Sequence, residues 1–227
     1  MDQNILSSSR RRFLSVGVVG AGLLSTGLLG ARRALTPPET QGPFFPVEDQ
    51  EDKDADLTRV HGHAGSAQGL VIIVSGTVKD QDEKPIAGAW IDIWQACTTG
   101  RYNHPRDTNP QPLDPDFQYW ARFVTDAQGA YAFKSIKPGA YPVDDNWIRP
   151  PHIHFRIDAF SHPQLTTQMY FSDETALNDQ DLILSQTEKD YSRPARDSLI
   201  VDFTKTNAEG IKTGNFDIVL GGTPFIP

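Results

Sequence analysis

Trp147-Ile-Arg-Pro-Pro-His-Ile-His-Phe-Arg-Ile157 sets two histidines one residue apart in a run that reads as a β-strand. Side chains on a strand alternate faces, so His152 and His154 point the same way while Ile153 points opposite, into apolar packing. Comparable short apolar runs lie on both sides of it, at 70–78, 87–94, 122–125, 130–134, 166–171, 198–204 and 215–220. Between them stand Asp80-Gln-Asp-Glu-Lys-Pro85, Asp126-Ala-Gln-Gly129 and Lys137-Pro-Gly139, all turn chemistry. Short strands joined in this way predict an all-β fold, a β-sandwich of about eight strands. Helical turns are expected only at 175–181 and 188–191.

The chain has 227 residues, 38% of them hydrophobic, enough for one domain with a substantial core plus appendages. Its single cysteine, Cys97, excludes an intramolecular disulfide and reads as a small buried apolar residue. Neither a phosphate-binding glycine-rich loop nor a Gly-x-Ser-x-Gly elbow is present.

The first residues do not belong to the domain. Ser9-Arg-Arg-Arg-Phe-Leu14 precedes an uncharged apolar stretch, 15–31, the layout of a twin-arginine export signal. Arg32 and Arg33 interrupt the small-residue cleavage site, so a membrane tether through an uncleaved signal is compatible with the sequence. An exported, extracytoplasmic protein is expected, organised as a signal or anchor at 1–34, an extended arm at 35–69 rich in proline and acidic residues, and the sandwich at 70–227. Phe44 and Phe45 are the arm residues expected to pack on the domain. Residues 1–34 carry five Arg and one Asp, so the chain's net charge of −8 leaves −12 on the remainder. So acidic a body disfavours nucleic acid and anionic lipid and leaves a small-molecule role.

Two imidazoles on one strand face can converge on a metal, and His61-Gly-His63, in a loop-like stretch, is an internal control with the same spacing. No cysteine set for structural zinc exists. A distant Asp or Glu could complete the pair as in a facial triad. The other candidates are Tyr102, after Gly100-Arg101, and Tyr141, in Pro138-Gly-Ala-Tyr-Pro142, both at the ends of strand-like segments. A phenol becomes a good ligand only where a strongly acidic cation removes its proton, so two tyrosines with two histidines suit a hard trivalent ion.

An ordered series of motifs resembles the intradiol ring-cleavage dioxygenases. It comprises Thr40-Gln-Gly-Pro-Phe-Phe45, Ala89-Trp-Ile-Asp-Ile-Trp-Gln-Ala96, Gly100-Arg-Tyr-Asn-His-Pro-Arg-Asp107, 125–133, Ile136-Lys-Pro-Gly-Ala-Tyr-Pro142, Arg149-Pro-Pro-His-Ile-His-Phe155 and Thr167-Gln-Met-Tyr-Phe171. The resemblance is strongest to the catalytic subunit of the protocatechuate-cleaving branch. It implies a mononuclear non-haem Fe(III), one per chain, with Tyr102 and His152 as equatorial and Tyr141 and His154 as axial ligands. It further implies Arg149 over the substrate ring, Trp94 and Gln168 lining the pocket, and Tyr141 leaving the metal to accept a substrate proton. The implied partners are a catechol-type molecule and O2, with oligomeric assembly compatible. Val143 stands where the protocatechuate enzymes carry an aromatic, and Cys97 where asparagine is common. The 76–80, 85–89, 125–133 and 138–141 turns also resemble non-catalytic transthyretin-like and carboxypeptidase-regulatory sandwiches, which lack the 149–154 segment and Gly100-Arg-Tyr102.

Overall fold

The computed structural model describes residues 32–222, so the expected export signal lies almost wholly outside the described residues. Two five-stranded sheets face each other. In the first, β1 (Val71–Asp80) pairs antiparallel with β4 (Ala130–Ile136) along one edge. Along its other edge it pairs in parallel with β11 (Lys212–Asn215) and then β12 (Ile218–Leu220), and β10 (Lys205–Thr206) adds to β11. The second sheet runs in the order β3 (Trp120–Val124), β2 (Trp90–Trp94), β7 (His152–Asp158), β8 (Leu165–Phe171) and β9 (Ile200–Val201). Between β8 and β9 lie three short helices, α1 (Thr175–Asn178), α2 (Leu182–Asp190) and α3 (Arg193–Asp197). A separate hairpin pairs β5 (Tyr141–Asp144) with β6 (Trp147–Arg149).

Period-2 patterning makes the core. Ile72, Val74 and Val78 of β1 and Tyr131 and Phe133 of β4 face Ile91, Ile93, Ile153, Phe155 and Ile157 of the other sheet. Phe155 is the hinge of the packing, with ring centroids 6.0 Å from Phe133 and 5.1 Å from Phe216. Each such side chain, fully buried, contributes roughly 1.5–3 kcal/mol of transfer free energy.

The expected strands lie where the apolar runs stand, with several corrections; β10, most of β11 and helix α3 form where no strand or helical turn is expected. The run at 198–204 pairs only over Ile200–Val201. The β5–β6 hairpin goes unread in the sequence because Pro142 to Asp144 are exposed and show no alternation. Helix α2 fills 182–190, where only 188–191 was expected to turn. Its signal was Asp181, whose carboxylate caps the helix by accepting from the Ile183 and Leu184 N–H groups at 2.8 and 2.9 Å.

Candidate active site

With Ile153, Phe155 and Ile157 committed to the core, the alternate residues of β7 must face outward. Directly paired residues of antiparallel strands share a face. The register opposes His154 to both Trp94 and Gln168, His152 to Tyr170, and Asp92 to both Arg156 and Arg122. On this outer face Asp92, Trp94, His152, His154, Gln168 and Tyr170 are as buried as the core, while Arg156 is half-buried and Arg122 exposed. The Trp94 and His154 rings stack at 4.7 Å and 5°. Asp92 accepts from Trp120 Nε1 at 3.0 Å, Arg122 Nε at 2.7 Å and Arg156 Nη2 at 2.8 Å, tying three strands together. Burial acts to raise the Asp92 pKa, but the hydrogen bonds from Arg122, Arg156 and Trp120 outweigh it and hold the group below the ordinary carboxylate value.

The arm covers this face. Phe45 meets Trp94 edge-on at 4.9 Å, and the Arg156 guanidinium lies over Phe45 at 4.1 Å. Gly42 passes His154 in a left-handed conformation, φ +67, and a Cβ there would lie 3.5 Å from the imidazole. Phe44 packs on Tyr102 at 4.7 Å, so the two arm phenylalanines pack on the domain as the sequence suggested.

Two glycines bring the tyrosines to the histidines. Gly100, with φ +81, approaches so closely that a Cβ would stand 2.4 Å from the Ala140 carbonyl oxygen; one on Gly139 would stand 2.4 Å from the Thr98 carbonyl oxygen. Only glycine permits this backbone contact. The Gly100 and Gly139 N–H groups both donate to the Cys97 carbonyl at 3.0 Å, clamping the turn before Tyr102 to the turn before Tyr141. The two phenol rings lie 5.6 Å apart, Tyr141 is 5.7 Å from His152, and the two imidazoles are 4.8 Å apart. The Tyr102 hydroxyl is 3.3 Å from His152 Nε2. Tyr102, His152 and His154 are buried, whereas Tyr141 is half-buried.

The electrostatics suit a metal. His152 Nδ1 lies 2.6 Å from the Pro150 carbonyl, which can only accept, so Nδ1 carries the proton and Nε2 presents its lone pair. Burial, with the Arg149 charge adding to it, pushes both imidazoles well below their usual pKa, so both are neutral donors. Burial likewise pushes both phenols up, and Tyr102 and Tyr141 keep their protons unless a strongly charged cation stands beside them. His154 Nδ1 is buried with no hydrogen-bond partner. Among the described residues no three His, Cys, Asp or Glu side chains form a metal-holding group, which removes the distant carboxylate as the completing ligand. The two phenols are the remaining donor groups beside the imidazoles, and the chemistry of this donor set fits a trivalent ion.

Beside them opens a cleft of about 460 Å³, lined by Tyr141, Arg149, Gly42, Phe44, Trp147 and Ile183 among others. Arg149 is held from behind: Nε donates to Asp181 at 2.7 Å, and Nη2 donates to Gln168 Oε1 at 2.6 Å and to the Tyr170 hydroxyl at 3.2 Å. That leaves Nη1 for the cleft. Trp94 and Gln168 do not line this cleft. Trp94 backs His154 and faces a second hollow under the arm, and Gln168 backs Arg149. Asp181, Tyr170 and Glu39 complete the support; Tyr170 stands in the 167–171 motif with no role assigned to it, Asp181 shows the cap signature, and Glu39 carries no local sign. His61 and His63 are exposed on a different hollow, with His63 Nδ1 3.1 Å from Asp116.

The sequence and fold resemble those of known proteins. The family model described as "Dioxygenase" matches residues 40–222. The chain is 40% identical to the protocatechuate 3,4-dioxygenase beta chain of Burkholderia cepacia, over 82% of this chain and 79% of that one. It is 29% identical to a catechol 1,2-dioxygenase of Candida albicans, over 59% of this chain but only 44% of that one. The dioxygenase domain of a dioxygenase carbohydrate-binding fusion from Streptomyces sp. SirexAA-E superposes with a TM-score of 0.60 at 28% identity, covering 84% of this chain and all of that one. With most of its length matched in this way, the chain belongs to the intradiol ring-cleavage dioxygenase family.

Proposed function

We propose that this protein cleaves the aromatic ring of a catechol-type substrate between its two hydroxylated carbons, adding both atoms of O2 to give a muconate-type diacid. One ferric ion per chain would be held by Tyr102, Tyr141, His152 and His154. The observation that carries the reading is the convergence of two phenols and two neutral imidazoles beside a cleft that Arg149 enters. Bound there, ferric iron would withdraw electron density from a chelated ring and open its carbon to O2.

The residues of the chain do the rest. Tyr141 is the candidate ligand that lines the cleft, so its phenolate oxygen is the one an incoming hydroxyl meets and can protonate. Arg149, always charged, presents Nη1 where negative charge develops on the ring and its oxygens. Gly42 and Phe44 of the arm wall the site and exclude water. His152 is oriented by the Pro150 carbonyl and His154 by the stacked Trp94. A non-catalytic sandwich module gives no reason to bury two phenols against two imidazoles. The twin-arginine-type segment supports action outside the cytoplasm after export in the folded state.

The test is oxygen uptake by the iron-loaded protein with catechol and with carboxylated catechols, with ultraviolet detection of the diacid. Consumption of one O2 per ring with intradiol product is expected. Absence of uptake with every catechol, or an extradiol product, overturns the reading.

A further inference from the structure

Glu39 lies in the arm, outside the motifs that define the site, yet its carboxylate is tied to two elements of the body. Oε1 accepts from the Thr187 hydroxyl of α2 at 2.7 Å, and Oε2 accepts from the Tyr170 hydroxyl of β8 at 2.8 Å. Its own N–H donates to the Thr166 carbonyl at 2.9 Å. One bond further in, the Tyr170 oxygen accepts from Arg149 Nη2, and Gln168, the other acceptor of that nitrogen, donates to the Thr40 carbonyl of the arm at 3.0 Å. Arm and guanidinium are therefore joined by two short chains of hydrogen bonds.

We propose that Glu39 is a positioning residue for Arg149, acting from the arm through Tyr170, and that its protonation state sets how firmly Arg149 is held over the cleft. The inference rests on the ring-cleavage reading above for the role of Arg149. Its chemistry is a question of who donates. An ionised Glu39 accepts from both hydroxyls, and Tyr170 then offers its lone pairs to Arg149. A protonated Glu39 must donate to one of the two. If it donates to Tyr170, the tyrosine proton turns toward Gln168 Oε1, 3.3 Å away, and competes there with Arg149.

The charged and titratable groups facing Glu39 are Arg149 from β6, Tyr170 from β8 and Asp181 at the start of α2, beside the Thr187 hydroxyl. Burial pushes the carboxyl up to about 7, against the Thr187 and Tyr170 hydrogen bonds and the Arg149 charge, which pull it down. Both states are thus populated near neutrality.

The test is the pH profile of kcat/KM in the iron-loaded protein, wild type against Glu39→Gln, Glu39→Asp and Tyr170→Phe, together with an infrared difference titration of the metal-free protein. The wild-type profile is expected to rise through pH about 7. E39Q, which donates at every pH, should be flat at the low-pH level, roughly tenfold or more below wild type at pH 8, the scale on which small misplacements act. Glu39→Asp should restore the inflection, and Tyr170→Phe should remove it even if E39Q fails to fold. The infrared titration should show the Glu39 carboxyl losing its proton near 7, with a linked change in the guanidinium modes that Arg149→Lys removes. A carboxyl titrating at its ordinary 4.5, guanidinium modes indifferent to it, or an E39Q profile equal to wild type overturns the proposal. Because the infrared titration needs neither iron nor turnover, its outcome is separate from a failure of wild type to cleave catechols.

Discussion

The Tyr102 hydroxyl stands 3.3 Å from Nε2 of His152, a contact between a turn after β2 and the first residue of β7. Both side chains are buried, the imidazole is turned by the Pro150 carbonyl, and the second phenol and second imidazole close the group. Burial keeps the imidazole neutral and the phenol protonated, so the contact joins two uncharged groups.

The two tyrosines should behave differently. Tyr141 faces the cleft and Tyr102 does not, so Tyr141→Phe should retain much of its iron while turnover falls by about a hundredfold or more, the scale of a lost proton acceptor. Tyr102→Phe should lose most of the tyrosinate colour, with and without a catechol present. Iron content, visible spectra and oxygen uptake on both variants check this. Full turnover by Tyr141→Phe would show that its phenolate takes no part.

The histidine pairs separate in the same way. His152→Ala and His154→Ala should each abolish iron binding, and His61→Ala and His63→Ala should leave it intact, because the latter pair is exposed on another hollow. Iron loss on changing His61 would mean the wrong pair has been assigned.

Gly100 makes the site by letting two backbones touch. Gly100→Ala places a Cβ against the Ala140 carbonyl in a left-handed conformation, so a loss of roughly 1–3 kcal/mol is expected. Iron should be lost with it, since Tyr102 and Tyr141 are pushed apart. Urea unfolding and metal analysis read both. Wild-type stability with full iron would refute the clamp.

Asp92 ties β2, β3 and β7 beneath the arm. Asp92→Asn should cost about 2–3 kcal/mol at pH 7, the scale of hydrogen bonds to charged groups. The folded-state pKa is depressed, so the stabilisation is present above the ordinary carboxylate value of 3.8 and fades as pH falls through the lower folded value. The gap between wild type and Asp92→Asn in urea midpoint should therefore narrow in acid. A gap that widens there would contradict the assignment.

How far the sequence could be read follows from the range of the interactions. The sandwich strands and the His152–His154 pair are legible because alternation is a local property of a strand. That the pair faces away from the core, onto a second buried surface, is not legible without knowing that the arm covers it. Tyr102 and Tyr141 look unremarkable in isolation, since their meeting depends on two glycines making one contact 39 positions apart. Glu39, Tyr170 and Asp181 come from three elements and converge on Arg149 only in the fold. The motifs point to Trp94 and Gln168 as pocket lining, yet both stand behind the cleft's walls, Trp94 stacked on His154 across the strand pair and Gln168 accepting from Arg149, a contact no local pattern signals.

The central claim, that Tyr102, Tyr141, His152 and His154 hold a trivalent iron, is tested most directly by metal analysis of the purified protein together with its visible spectrum. The account predicts about one ferric ion per chain and a red-brown band from tyrosinate-to-iron charge transfer, the signature of phenols that have given up their protons to a strongly acidic cation. A colourless protein that carries zinc, or no metal after incubation with iron, would contradict it.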